Sequence, residues 1–510
     1  MLRIDSPDSR HEDGTSWRLR DGADARTALN ADPDAMMMDS RSKCPWVAPL
    51  PQDVARVPGM LSDEEKRYLY WVARHAFEGW GAIVDLGPWV GCSSAALAAG
   101  LRDRGAETKV HSFDRFEWNR GYMECHLAAN LPEGADFMPI FLRQTAPVKA
   151  WIEPQKMDLM RGSWTGGPIE ILFVDAAKSW ELNNAILQAF GPHLVPGKSR
   201  VIQQDFRHFP TVWFPLVFDS RPDVWRQVEA VESGWTVTFM PQRPLYGEGG
   251  LAPEYRAADF TFEDVCRIFR RRVDDEVGAE ARVHFLTGWL CASLLHGDKA
   301  IEALLRQEIE GLRSRTRAAE HLPEAERCTG FELMNVGKLQ AAEDVGRRLM
   351  QQDPGSAAFA ALAGIAAIRL GHHAVASECF ERVTALDPGD VNAGLHLAEV
   401  HVEQGHRESA MQRITAALRS LSKDDYKDLL SLAFGVYERW CWKFGTWPLA
   451  ELKALSARFD SVPDYHVLMA ISLAMTGNRP LAWEALRRAL TIDPVHARAR
   501  EIETRYGAER

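Results

Sequence analysis

The stretch Asp85-Leu86-Gly87-Pro88-Trp89-Val90-Gly91-Cys92-Ser93 has the residue types and spacing to hold a ligand. A strand that runs into a glycine turn and then a helix lets backbone approach a bound molecule closely, and the helix start offers free amide donors. An adenine-containing cofactor is the natural occupant. Gly87 and Gly91 stand in a GxxxG spacing, so the dinucleotide fingerprint GxGxxG is absent and a nicotinamide cofactor is disfavoured. Asp114 follows 23 residues after Gly91, at the end of the next strand, where a carboxylate can accept both ribose hydroxyl protons. The alternative for Asp114 is a solvated strand-end aspartate. A second group of reactive residues ends the fourth strand as Val174-Asp175-Ala176-Ala177-Lys178, at the sheet edge where such folds bind substrate. Asp205 ends the fifth strand. His208 and Trp213, in RHFPTVWF, either border an acceptor pocket or belong to the core, and Trp89 and Trp180 share that ambiguity.

These residues need a sheet to carry them. From Gly81 the chain alternates short apolar runs with helical stretches, the pattern of a doubly wound parallel α/β sheet. AIVDLG is the first strand, CSSAALAAGL the helix after it, KVHSFD the second strand and DFMPIFL the third. IEILFVD and SRVIQQDF are the fourth and fifth, with a helix over 179–190 between them, and a last β pair at WTVTFMP closes the domain. LSDEEKRYLYWVARHAF, over 61–77, has helical apolar spacing, Ser62 as its cap and acids in its first turn. Glycines and a proline in 247–255 mark a linker.

Beyond Phe262 the pattern is helical throughout. Gly337, Gly371 and Gly405 recur every 34 residues, and Asp353-Pro354 and Asp387-Pro388 keep the same interval, which is the tetratricopeptide period. Proline stops the second helix of each unit. Small or aromatic residues for close helix packing fall at Ala376, Phe380, Ala398, Ala410, Ala417, Ala470, Ala482 and Ala489. The expected organisation is a disordered segment over 1–43, an α/β domain over 44–245, a linker over 246–261, a helical cap or atypical repeat over 262–325, and an all-α tetratricopeptide-type solenoid over 326–510.

With DLGPWVGCSS, SFDRF, ILFVDAAKSW, LVPGKS and VIQQDF in order, the region from about Pro58 to Pro241 resembles a class I S-adenosylmethionine-dependent methyltransferase. It is most similar to the sugar and macrolide O-methyltransferase branch and more distantly to catechol O-methyltransferases. The resemblance implies a Rossmann-like fold with S-adenosyl-L-methionine as cofactor. Asp85, Gly87 and Gly91 would line the methionine end and Asp114 would hold the ribose; Ser93 completes the implied cofactor-binding set, with Gln144 and Thr145 near the adenine. In the metal-dependent relatives an aspartate at the position of Asp175 ligates a divalent cation such as Mg²⁺, and a base follows three residues later, which Lys178 matches. Cation and lysine together would lower the pKa of a substrate hydroxyl and take its proton. Asp205 would be the second ligand. This chain departs from those relatives directly after it, where Phe206 replaces an Asn or Asp; Gln204, His208 or water would then fill the gap, or no metal binds. The other readings are capping roles for Asp175 and Asp205 and an exposed loop lysine at Lys178.

Composition bounds the rest. A net charge of -11 argues against nonspecific nucleic-acid binding. The 8 cysteines are scattered with no zinc spacing. No apolar run is long enough to span a bilayer and no signal peptide is evident, so a cytoplasmic protein is expected. Two functions follow as expectations. One is O-methylation of a sugar, glycan or small-molecule hydroxyl acceptor, with the repeats binding a protein partner or part of the acceptor. The other is an inactive methyltransferase-fold scaffold acting through protein interaction by its repeats. A nucleotide-dependent dehydrogenase or epimerase is disfavoured by the missing GxGxxG and Tyr-x-x-x-Lys.

Overall fold

The computed structural model describes residues 45–119, 123, 127, 131–247, 254–276, 278–423 and 425–507. The 1–43 segment and part of the 246–261 linker lie outside the described residues. The chain forms two compact units, residues 1–325 and 326–510.

The first unit is built on a seven-stranded sheet: β1 (Ala82–Leu86), β2 (Val110–Asp114), β3 (Ile152–Lys156), β4 (Ile169–Val174), β5 (Arg200–Gln203), β6 (Trp225–Ala230) and β7 (Val237–Pro241). Their spatial order is β3-β2-β1-β4-β5-β7-β6. The first five are parallel, with Asp85 of β1 opposite Ser112 of β2 and Phe173 of β4. β7 runs antiparallel between β5 and β6. All six residues of β4 are buried, as a central parallel strand covered on both faces requires. Strand order reverses between β1 and β4, so the loops after these two strands diverge and leave a crevice at their carboxyl ends.

Buried carboxylates fix the ends of these elements. Ser62 caps the Asp63–Trp71 helix through a capping box, its Oγ accepting from Glu65 N at 3.2 Å while Glu65 Oε2 accepts from Ser62 N at 2.8 Å. The other Glu65 oxygen accepts from Trp235 N and Thr236 Oγ1, tying this helix to the turn before β7. Glu170 accepts from the backbone amides of Glu78, Gly79, Trp80 and Gly81, and so sets the entry into β1.

The third strand is a correction to the sequence reading. DFMPIFL is not a strand: Met138–Gln144 is a helix with proline in its first turn, burying Ile140 and Phe141 on one side. β3 is instead IEPQK, an edge strand whose proline and polar residues conceal it.

Residues 262–325 fall within the first unit. The Phe262–Asp275 and Ala279–His296 helices pack on the β5–β7 side of the sheet. Arg272 forks onto the Asp219 carboxylate, donates to Gln227 Oε1 at 2.5 Å, and covers the Phe206 ring at 4.9 Å. Arg207 reaches both Glu276 oxygens at 3.0 Å. A buried guanidinium that is paired and stacked in this way docks a helix with defined geometry.

The second unit is all helical and repeats as expected. Gly337, Gly371 and Gly405 have φ of 77°, 76° and 81°, the left-handed conformation that ends a helix most easily at glycine. After each Asp-Pro the same turn recurs: Gly355 N donates to Asp353 Oδ1 and Gly389 N to Asp387 Oδ1, both at 3.0 Å. The eight small or aromatic positions named above are all buried. Among the described residues no helix is long and apolar enough to cross a membrane.

Two glycines separate packing from propensity. A Cβ on Gly346 would lie 2.6 Å from Ala363 N, between facing helices, whereas one on Gly394, inside the Val391–Glu403 helix, meets nothing within 4 Å. Gly346→Ala is expected to destabilise the array by about 1–3 kcal/mol through overpacking. Gly394→Ala should stabilise it by about 0.5–1 kcal/mol through helix propensity alone. Denaturant titration followed by circular dichroism checks both, and equal shifts of one sign would contradict the close approach.

Candidate functional site

The turn after β1 turns sharply back on itself. Gly87 and Gly91 have φ of 83° and 107°, and Trp89, at 46°, takes a conformation unusual for a residue with a side chain. Gly87 is needed for space as well: its Cβ would lie 3.1 Å from Ala176 Cβ and 3.2 Å from the Asp175 carbonyl. A Cβ at Gly91 would meet Thr145 Cγ2 at 2.4 Å. The turn therefore nests against both the end of β4 and the segment after the Met138–Gln144 helix.

Beside it opens a cleft of about 290 Å³, lined by Gly87, Ala176, Asp114 and Trp118 and by Met157, Asp158 and Leu159 from the loop after β3. This is the crevice at the strand-order reversal, where open α/β sheets bind ligands. Asp114 accepts from Trp89 N at 3.3 Å and Phe116 N at 2.8 Å, which aims its carboxylate along the cleft wall. Burial raises its pKa while the backbone donors oppose the rise.

Not every candidate residue reaches this cleft. Asp85 is fully buried; its Oδ2 accepts from Ser93 Oγ at 2.9 Å and Ser94 Oγ at 2.6 Å, and its Oδ1 has no partner among the described residues. Burial pushes its carboxyl up to about 7 against the pull of the two serines. Asp85 and Ser93 thus brace the turn from behind. Gln144 ends a helix that precedes β3, and it does not line the cleft. Sequence reading missed Met157, Asp158 and Leu159 because it put the third strand too early, and IEPQK gave no apolar alternation to reveal it.

A charged cluster adjoins the cleft through Asp175 and Ala176. Lys178 Nζ donates to Asp175 Oδ1 at 2.8 Å and also to Asp205 Oδ2, bridging the ends of β4 and β5. Burial of the ammonium works against its charge, but the two carboxylates outweigh that, so Lys178 is held protonated. Burial raises the Asp175 carboxyl, Lys178 pulls it down, and Asp205 adds to the rise. Phe206 points into the core among Phe214, Phe218, Phe239 and Phe285. No group of three or more His, Cys, Asp or Glu able to hold a metal occurs among the described residues. Two carboxylates already bridged by an ammonium do not fit Mg²⁺, which prefers an octahedron of oxygens.

Aromatic side chains flank this cluster. Trp213 Nε1 donates to Ala177 O at 3.1 Å, and Trp180 lies 6.3 Å from Trp213 and 5.9 Å from Phe260. On the other side His208 stacks flat on Trp235 at 4.2 Å, and Trp235 Nε1 donates to His284 Nε2 at 3.2 Å. Burial drives both histidines down to about 4, so they are neutral near pH 7. His284 comes from the Ala279–His296 helix, which therefore contributes to this edge of the sheet.

The buried Asp85 sets a pH dependence. Folded, it keeps its proton up to about 7; unfolded, an aspartate loses it near about 4. Its stabilising contribution is therefore full below about pH 4 and fades as pH rises to about 7. Asp85→Asn is expected to flatten the fall in thermal midpoint across this window, leaving the part that Asp175 contributes. Identical slopes in wild type and variant would contradict the burial argument.

No protein-family model and no curated protein matches this chain. Among solved structures, it is similar to YrrB, described as a TPR protein with an unusual peptide-binding site, at 17% identity over 35% of this chain and 91% of that one, with a TM-score of 0.26. It is likewise similar to a thermophilic TPR protein of Thermus thermophilus, at 20% identity over 36% and 97% with a TM-score of 0.28. A tetratricopeptide repeat protein of Parabacteroides merdae gives 10% identity over 46% and 88% with a TM-score of 0.30. The repeat organisation itself stands on the 34-residue recurrence and helix pairing within this chain.

Proposed function

We propose that the first unit is an S-adenosylmethionine-dependent O-methyltransferase acting on a hydroxyl of a sugar or other small-molecule ring acceptor, and that the helical repeats bind a protein partner. One observation carries the reading: the left-handed turn at Gly87, the Asp114 carboxylate and Ala176 line one cleft, and Asp175, the residue before Ala176, pairs with Lys178. Five parallel strands followed by an antiparallel pair fit it too. When bound, the cofactor supplies a sulfonium methyl group. Gly87 would let it lie against the turn and Asp114 would accept from its ribose hydroxyls. Asp175, its carboxyl raised by burial, would take the proton of the acceptor hydroxyl, and Lys178 would stabilise the oxygen as charge develops. This exchanges the roles expected from the resemblance, because a lysine held by two carboxylates is a poor base. The aromatic side chains Trp180, Trp213 and His208 beside the Lys178 cluster favour a ring-shaped acceptor.

A second reading, a scaffold whose α/β unit is inactive, is favoured by Lys178 pairing with both Asp175 and Asp205. Groove-forming helical repeats carry partners and no chemistry of their own. Calorimetric titration of the whole chain with S-adenosylmethionine separates the two. Micromolar binding is expected, weakened at least about tenfold, or 1.4 kcal/mol, in Asp114→Ala and in Gly87→Val. Thermal unfolding confirms that both variants fold. Absence of binding by the wild type would overturn the methyltransferase reading and favour the scaffold.

A further inference from the structure

We infer that the ammonium of Lys178 is the resident cation of the β4–β5 strand-end site, so that this chain binds no divalent metal there. Four observations lead to it. Asp175 and Asp205 come from adjacent parallel strands, and Nζ contacts both carboxylates at once, which puts a positive charge between the two oxygens that a shared metal would bridge. The next residue cannot supply a third oxygen. Phe206 is 1% exposed, its ring is 4.9 Å from Phe239 and 6.1 Å from Phe285, and the Arg272 guanidinium covers it at 4.9 Å. Turning it toward the site would empty an aromatic core and uncover a buried cation. Finally, the His208 ring is engaged elsewhere, lying flat on Trp235 at 4.2 Å, and no group of three or more His, Cys, Asp or Glu able to hold a metal occurs among the described residues. The Asp205 main-chain carbonyl is also engaged, accepting from Thr211 Oγ1 at 2.6 Å.

The position that would complete a metal site is therefore committed to docking the Phe262–Asp275 and Ala279–His296 helices, and a side chain tethered three residues from Asp175 neutralises the carboxylates instead. An acceptor oxygen entering this edge meets an N–H donor of fixed position, which supplies charge without an exchangeable ion. The inference rests on the strand-end geometry and not on cofactor binding, so it can fail while the proposed function holds, and the reverse.

Mn²⁺ titration of the full chain, followed by electron paramagnetic resonance, tests it. Wild type is expected to bind no Mn²⁺ at this site at millimolar concentration, and Lys178→Arg should behave alike. Lys178→Ala and Lys178→Gln expose two uncompensated carboxylates and should raise Mn²⁺ affinity at least about tenfold over wild type. Adding Asp205→Asn to either should abolish the gain. Thermal melting identifies any variant that fails to fold, and the two Lys178 replacements serve as independent trials. Stoichiometric Mn²⁺ binding by the wild type that is lost in Asp205→Asn would overturn the inference, as would folded Lys178 variants that gain no affinity.

Discussion

The missing side chain at Gly87 is the constraint on which the candidate site depends. The turn after β1 and the end of β4 approach so closely that a Cβ at this position would press on both Ala176 and the Asp175 carbonyl. That approach makes Ala176 part of the cleft lining, while the residue before it, Asp175, belongs to the charged cluster. The cleft and the charged cluster are thereby neighbours without any long loop to join them. The backbone bond from Asp175 N to Leu86 O, at 2.9 Å, fixes the same juxtaposition from the sheet itself.

Around this point buried charges divide into two kinds. Glu65 and Glu170 are saturated by backbone and side-chain donors, and they hold the turn before β7 and the entry into β1. Arg272, paired with Asp219 and laid over aromatic rings, docks the helices that follow the sheet. The desolvation of these groups is offset by their partners, which leaves them little to react with. Asp85, Asp114 and Asp175 are different, since burial raises the pKa of each and their oxygens are only partly satisfied or shared with Lys178.

Much of this was legible in the sequence, and the failures have physical causes. The glycine turn, Asp114, Asp175, Lys178 and Asp205 could be read because strand-end carboxylates beside apolar runs announce themselves, and the structure brings all but the turn's buried members to one edge. The 34-residue recurrence was equally plain, since Gly371 and Asp387-Pro388 each terminate a helix by backbone chemistry that few other residues can supply. β3 was hidden because an edge strand does not need two apolar faces, while MPIFL imitates a strand in its apolarity. The links made by Arg207, Arg272 and His284 were invisible for another reason: they join residues 45 to 69 positions apart, and no local pattern encodes such pairs.

The central claim, that the turn after β1 and the neighbouring strand end form a cofactor site, is tested most directly by hydrogen–deuterium exchange of the full chain with and without S-adenosylmethionine. Slower exchange of the amides from Leu86 to Ser94 and from Asp114 to Glu117, with little change in the helical repeats, is the expected result. Unchanged exchange at the turn, or protection confined to residues 326–510, would contradict it.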